Sequence, residues 1–169
     1  MLCFDTAILS RRVTAALIGA ALLTGCGFTP VNGPDGTASG LRGQVEAAEP
    51  EDRNGFVFVA RLEDRLGLPS AAAYTLSYDI DIDQEGVGIT QAGDTTRFNL
   101  LGRVDYRIQD RVSGRDVTSG KVESFTGFSA TGSIVGSISA TEDATERLMV
   151  ILADQLVTEL QATAPDWLE

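Results

Sequence analysis

The sequence contains no histidine and only two cysteines, Cys3 and Cys26. Without histidine, the chain lacks the side chain that most often serves as a general base and titrates near neutral pH. Zinc sites that use histidine are excluded as well. We therefore expect a protein that binds other molecules and is not an enzyme, with no metal and no other cofactor.

The acidic run Asp79, Asp81, Asp83 and Glu85 is the one group of carboxylates that suggests a metal or a hydrolase site. A calcium loop needs glycine where this chain has Gln84, and a glutamate twelve positions into the loop, where it has another residue. Glycoside hydrolysis would need a pair of carboxylates across a cleft. A solvated strand face, whose charges discourage pairing between sheet edges, explains the run better.

The N-terminal region has the pattern of an export signal. A head ending in Ser10-Arg11-Arg12 precedes an 11-residue apolar stretch at residues 13–23. A membrane-spanning helix needs ~20 apolar residues, so residues 1–25 are predicted to be a cleaved signal peptide. Export by the general or by the twin-arginine route stays open.

The residues Leu23-Thr24-Gly25-Cys26 are similar to the bacterial lipobox, in which the cysteine thiol receives diacylglycerol. Cys26 is therefore the predicted lipidation site. Several acyl chains, at ~0.8 kcal/mol for each buried CH₂, would hold it stably in a membrane. Gly27 follows, whereas the inner-membrane retention signal of enteric bacteria has an aspartate there. This favours lipid anchoring on the periplasmic side of the outer membrane.

The predicted mature chain is strongly acidic. Cleavage would remove Arg11, Arg12 and Asp5, which leaves 13 − 2 = 11 basic and 24 − 1 = 23 acidic residues and a net charge of −12. Such a charge disfavours nucleic-acid binding. Cys3 would leave with the signal and Cys26 would carry lipid, so no disulfide is expected.

The chain after the signal divides into a tether and one domain. Residues 26–40 are rich in glycine, proline and small polar residues, which predicts a lipidated, extended tether. Residues 41–169 then predict a single α+β periplasmic domain of ordinary size.

Hydrophobic periodicity predicts a strand, a helix and three antiparallel strands in the first part of this domain. A short strand is expected from Leu41 to Ala47. Residues 51–67 suit a helix whose apolar side is formed by Phe56, Val59, Leu62 and Leu66. Strict alternation predicts the long strands, which are expected at residues 74–83, 95–108 and 117–128.

The C-terminal part of the domain predicts a loop and a final helix. Residues 133–139 are small and glycine-rich, which is typical of a flexible loop, and residues 139–142 fit a capping box. The helix that follows is expected to end at Pro165. The predicted fold is α+β, with two helices packed on one face of a mostly antiparallel four-stranded sheet.

A cluster of basic residues lies on the polar side of the second long strand. Arg97, Arg103 and Arg107 alternate with apolar positions and are the candidate lipid-binding residues, because guanidinium groups bind phosphates and carboxylates. Cross-strand pairing with the acidic run is the competing interpretation. Phe125 is expected in the core, and the sequence leaves Phe128 open between core and partner contact.

The layout resembles the lipopolysaccharide-assembly lipoprotein (LptE) family, in the form found in alphaproteobacteria. The similar stretches lie at residues 23–30, 61–67, 96–98, 143–144 and 152–156. The resemblance implies two helices on a mixed four-stranded sheet. It also implies an outer-membrane lipoprotein that plugs a large LptD-like β-barrel, assists its assembly and binds lipopolysaccharide. Residues 133–141 contain no Lys or Arg, so a basic residue that enteric relatives carry there has no counterpart.

The resemblance implies that basic side chains of the sheet contact lipid phosphates, with Arg97 first and Arg103 and Arg107 behind it. An accessory lipoprotein of an ABC-type envelope lipid transporter is the alternative function, because it would share the anchor, the tether and a similar α+β layout.

Overall fold

The computed structural model describes residue 33 and residues 36–70, 72–89, 95–130 and 134–168. The predicted signal peptide, Cys26 and most of the predicted tether lie outside these residues. In chain order the elements are α1 (Thr37–Leu41), β1 (Val45–Ala47), α2 (Arg53–Leu66), β2 (Tyr74–Ile89), β3 (Thr95–Asp110), β4 (Asp116–Ser129) and α3 (Ile134–Thr163), and a 3₁₀ turn follows at Ala164–Asp166.

The four strands form one sheet in the order β1-β2-β3-β4. β1 pairs with β2 in parallel, whereas β2–β3 and β3–β4 are antiparallel, so the sheet is mixed. The helices α2 and α3 pack together and cover one face of the sheet. The prediction of an α+β fold, with two helices on one face of a mostly antiparallel sheet, is confirmed.

The alternation of side chains in β2 and β3 places every second residue in the core. Leu76, Val104 and Ile108 are fully buried beneath the helices, while the charged residues between them are exposed. Gly102 is the point of closest approach to α3, because a Cβ there would lie 2.8 Å from Leu152 Cδ1. All the described core residues lie between Leu41 and Trp167 and form one cluster.

The helix α2 has clear start and stop signals. The carboxylate of Asp52 accepts a 2.7 Å hydrogen bond from the Gly55 N–H, and Gly67 ends the helix with a φ of 82°. The predicted helix is confirmed, but the expected position of Phe56 in its apolar side is wrong, since this ring is exposed. Phe58 fills the core instead, with its ring centroid 5.2 Å from that of Tyr78.

The predicted strand from Leu41 to Ala47 begins only at Val45. The residues before it form α1, whose Leu41 is fully buried, and a turn through Gly43 at a φ of 69° connects the two elements. A Cβ at Gly40 would lie 2.7 Å from Leu168 Cδ2, so α1 sits against the C-terminal end of the chain. Its helical conformation replaces the expected strand because this packing buries Leu41.

The prediction of a loop at residues 133–139 is wrong for its described part, because α3 already begins at Ile134. The expected cap at Ser139 lies inside the helix. From Ala144 onward, the inner side of α3 is buried against the sheet and α2. Thr126 on β4 donates a 3.0 Å hydrogen bond to the carbonyl of Ala144, which attaches the helix to the last strand.

Candidate functional site

The open face of the sheet, opposite the helices, carries the basic residues that the sequence singled out. Arg97, Arg103 and Arg107 lie on alternate positions of β3, and all three side chains are exposed on this face. The shared face follows from the two-residue period of a strand. The structure therefore brings the three candidates onto one surface, but it gives each a different environment.

Arg103 lies at the centre of a network of charged groups. Its Nε and Nη2 donate hydrogen bonds of 2.7 and 2.8 Å to the two carboxylate oxygens of Asp105. Glu123 on β4 lies 3.8 Å from its Nη1 and also binds Lys121, while Asp81 faces it from β2. The hydrogen bonds to Asp105 raise the pKa of Arg103 and lower the pKa of Asp105.

Arg107 is also paired. Its Nη1 lies 3.0 Å from the Asp116 carboxylate at the start of β4, and its neighbours in register are Ser77 and Ser119. For Arg103 and Arg107, ion pairing within the protein is thus the main interaction, but the partners are Asp105 on the same strand and Glu123 and Asp116 on β4 rather than the acidic run of β2.

Arg97 has a different environment at the far end of β3. It lies between Gly88 on β2 and Ser129 on β4, and no carboxylate among the described residues forms an ion pair with it. A register shift between Gly86 and Gly88 sets this arrangement. Arg97 is therefore an exposed cation without an ion pair among the described residues.

Between Arg97 and Arg103 the open face carries an exposed apolar pair on β3 and β4, next to Asp83 and Glu85 of β2. Leu101 and Phe125 are direct cross-strand partners, and they are 39% and 65% exposed. The expected core position of Phe125 is wrong, because its register with Leu101 turns the ring away from the helices. Phe128 has the opposite orientation and is buried, with its ring stacked on Phe98 at a centroid distance of 5.5 Å.

The acidic run of β2 follows the open face of the sheet, and one of its residues lines a pocket beside α2. In the described part of the chain, no group of three or more metal-ligating side chains is placed to hold an ion. Asp79 instead lines a pocket of about 260 Å³, together with Glu49, Glu51 and Asp52 at the start of α2. The Tyr78 side chain also lines it, and burial followed by the nearby Asp52 raises the pKa of its hydroxyl.

A shallow groove of about 600 Å³ runs between β4 and α3. It is lined by Val122, Ile151, Gln155, Thr158 and Glu159, together with Asp154. Among the described helices, none is both long enough and apolar enough to cross a bilayer.

A family model described as LptE, lipopolysaccharide-assembly, matches residues 43–160, which is most of the chain. This protein belongs to the LptE family. The resemblance to this family is thereby confirmed, and the chain is a lipopolysaccharide-assembly protein. None of the curated proteins matches it.

Solved structures show the same fold. A Caulobacter crescentus protein described as a lipoprotein is 25% identical with a TM-score of 0.61, and the match covers 76% of this chain and 95% of that one. Rare lipoprotein B from Shewanella oneidensis is 12% identical with a TM-score of 0.58, covering 72% and 95%. A minor lipoprotein from Acinetobacter baumannii is 14% identical with a TM-score of 0.54, covering 70% and 89%.

Within this LptE-family chain, two of the similar stretches meet at the interface between the helices. Residues 61–67 belong to α2 and its C-cap, and residues 152–156 belong to α3. Arg61 and Asp154 join them directly, and Arg65 lies 3.4 Å from the same carboxylate. These stretches therefore hold the helices together.

Proposed function

We propose that this protein is a lipid-anchored outer-membrane plug, which enters a large LptD-like β-barrel, assists its assembly and binds lipopolysaccharide through Arg97. Family membership supports the role in lipopolysaccharide assembly. The observation that carries the lipid contact is the exposed guanidinium of Arg97, which has no ion pair among the described residues and shares a sheet face with the exposed pair Leu101 and Phe125. The role is binding and not catalysis.

The anchor in this proposal is Cys26. Acylation of its thiol would hold the domain beside the periplasmic side of the outer membrane, with the tether between them. The first described helix, α1, packs against the C-terminal end of α3. The attachment would therefore lie at the end of the domain opposite to Arg97.

The open face of the sheet suits the lumen of a wide barrel. Such a lumen is polar and filled with water, so a surface of paired charges enters it with little loss of hydration. The ion pairs of Arg103 and Arg107 occupy the middle and the anchor-side half of this face. Paired groups of this kind bind anions weakly, because the anion competes with the carboxylates already present.

Arg97 offers a different type of contact. Its guanidinium could donate two parallel hydrogen bonds to a phosphate. Leu101 lies two cross-strand rows away, with Asn99 between them, and it would contact the apolar part of the same ligand. A phosphorylated amphiphile such as lipopolysaccharide combines these two chemistries.

The test is lipopolysaccharide binding by wild-type protein, Arg97→Ala and the control Arg115→Ala. Arg115 is exposed in the turn between β3 and β4, at the opposite end of the sheet, and its removal changes the net charge equally. We expect Arg97→Ala to weaken binding by ~1–3 kcal/mol, and Arg115→Ala to bind like wild type. Unchanged binding by a folded Arg97→Ala protein would contradict the proposed site.

The barrel partner is tested by isolating the native protein from detergent-solubilised envelopes. We expect a large β-barrel protein to co-purify. Recovery of the inner-membrane components of an ABC-type transporter would instead support the alternative role as a transporter accessory. Mass spectrometry of the same sample tests the anchor, since an unmodified Cys26 would contradict it.

A further inference from the structure

The first two turns of α3 expose three large apolar side chains. Ile134, Val135 and Ile138 are 81%, 73% and 54% exposed. They form one patch around Ile138, because residues three and four positions apart are neighbours on a helix surface. We call these three residues the apolar tip.

The apolar tip is the continuation of the buried side of α3. Ile134, Val135 and Ile138 each precede a fully buried residue by 18 positions, since 152 − 134, 153 − 135 and 156 − 138 all equal 18. Eighteen residues are about five helical turns of ~3.6 residues, so the paired positions point the same way. The buried partners are Leu152, Ala153 and Leu156. The side of α3 that binds the core therefore extends beyond the core.

The charge distribution around the apolar tip differs from that of the rest of the protein. Residues 124–141 contain no charged residue over 18 positions, although the chain has a net charge of −11. Arg97, the exposed cation without an ion pair among the described residues, is paired in register with Ser129 within this uncharged run. An anionic surface would repel the acidic remainder of the domain, but it would not repel this uncharged end with its cation.

From these observations we propose that the apolar tip docks on an anionic lipid bilayer. Ile134, Val135 and Ile138 enter the acyl region, and Arg97 contacts the head-group phosphates. Large aliphatic side chains on an exposed helical turn, combined with an exposed cation on a strand that ends near the start of the same helix, are the pattern of an interfacial membrane contact. A second copy of this chain fits less well, because tip-to-tip contact would bring two Arg97 side chains and two acidic bodies together.

The apolar tip lies far from the C-terminal end of α3. α3 has 30 residues and is ~45 Å long at ~1.5 Å per residue. Its C-terminal end lies against α1, where the chain leads back towards Cys26. The proposed bilayer contact is thus at the end of the domain remote from α1, the first described helix, and it requires neither acylation of Cys26 nor a barrel partner.

The test uses the chain from Gly27 to Glu169, which contains the complete described core and lacks the anchor cysteine. Flotation is measured with vesicles of equal parts phosphatidylglycerol and phosphatidylcholine, and with vesicles of phosphatidylcholine alone. We expect binding to the anionic vesicles, with at least a tenfold loss in the double variant I134S/I138S on the scale of ~0.8 kcal/mol per buried CH₂. Arg97→Ala is expected to lose about fivefold, which corresponds to ~1 kcal/mol per basic residue near an anionic surface.

The matched control is Val112→Ser, which removes an apolar side chain that is 95% exposed in the turn at the opposite end of the sheet. It is expected to float like wild type. Equal flotation of wild type and I134S/I138S, or equal wild-type binding to both kinds of vesicle, would overturn the proposal. So would a wild-type dimer in sedimentation that the double variant abolishes, because it would assign the apolar tip to a second copy. Circular dichroism checks that each variant is folded.

Discussion

The guanidinium of Arg61 on α2 and the carboxylate of Asp154 on α3 form two parallel hydrogen bonds, each 3.0 Å long. This paired geometry fixes the rotation of one helix relative to the other, because both groups are planar. Arg61 also binds Asp64 on its own helix, at 2.8 Å. The hydrogen bond to Asp154 is the main cause of the raised pKa of Arg61.

Asp154→Ala removes this link between the helices. Both side chains are about one-third exposed, so solvent screening keeps the effect small. We expect the thermal unfolding midpoint to fall by roughly 1–3 °C. The control Asp64→Ala breaks only the exposed pair within α2 and should have no measurable effect. Equal midpoints for wild type and Asp154→Ala would show that the helices are held by their apolar contacts alone.

Gly102→Ala tests the close contact between β3 and α3. The added Cβ would lie 2.8 and 2.9 Å from the terminal carbons of Leu152 and Leu148, so the helix must move away. We expect a loss of ~1–3 kcal/mol in the free energy of unfolding, measured in urea. Gly136→Ala on the exposed first turns of α3 is the control, and it should stabilise by up to ~1 kcal/mol. A neutral Gly102→Ala would mean that the contact is looser than described.

The sequence predicted the elements whose periodicity is regular. Alternation in β2 and β3 gave the strands and the correct inner face, because each is long and has one buried side. The strand β4 is less regular: Val122 and Phe128 face the core, whereas Phe125 occupies the opposite parity and is exposed. The hydrophobicity of Phe125 suggests a core position. Its place in the two-residue alternation of the strand, opposite to that of Val122 and Phe128, correctly indicates the open face.

The early start of α3 was missed for a related reason. Gly136 and three serines between residues 133 and 139 suggested a loop. The apolar side of the helix, however, continues through Ile134 and Ile138 at helical spacing, and this signal was present in the sequence. The environment of the arginines was not predictable, since the pairing of Arg103 and the isolation of Arg97 depend on strand register and on the shift near Gly88.

Acid sensitivity is expected from the pair Arg103 and Asp105. The pKa of Asp105 lies below its usual 3.8, chiefly because the carboxylate accepts hydrogen bonds from Arg103. The unfolded chain therefore binds the proton more readily, so the pair stabilises the protein above pH 3.8 and loses this contribution as pH falls through the lower folded pKa. Asp105→Asn should show a flatter fall of the thermal midpoint below this pH. Arg103→Gln removes the hydrogen-bond donor to Asp105, so the fall of its thermal midpoint at low pH should be equally flat. If the thermal midpoint of both variants fell below pH 3.8 as steeply as that of wild type, the acid sensitivity would not come from this pair.

Phe125 and Phe128 allow the two faces of the sheet to be compared with the same substitution three residues apart. Phe128 is buried against Phe98, so Phe128→Ala removes core packing and should cost about 3 kcal/mol in the free energy of unfolding. Phe125 is 65% exposed, and Phe125→Ala should change stability by less than ~0.5 kcal/mol. Chemical denaturation of both variants measures the difference. A costly Phe125→Ala would place its ring in the core, and would remove the apolar surface beside Arg97 on which the proposed lipid contact depends.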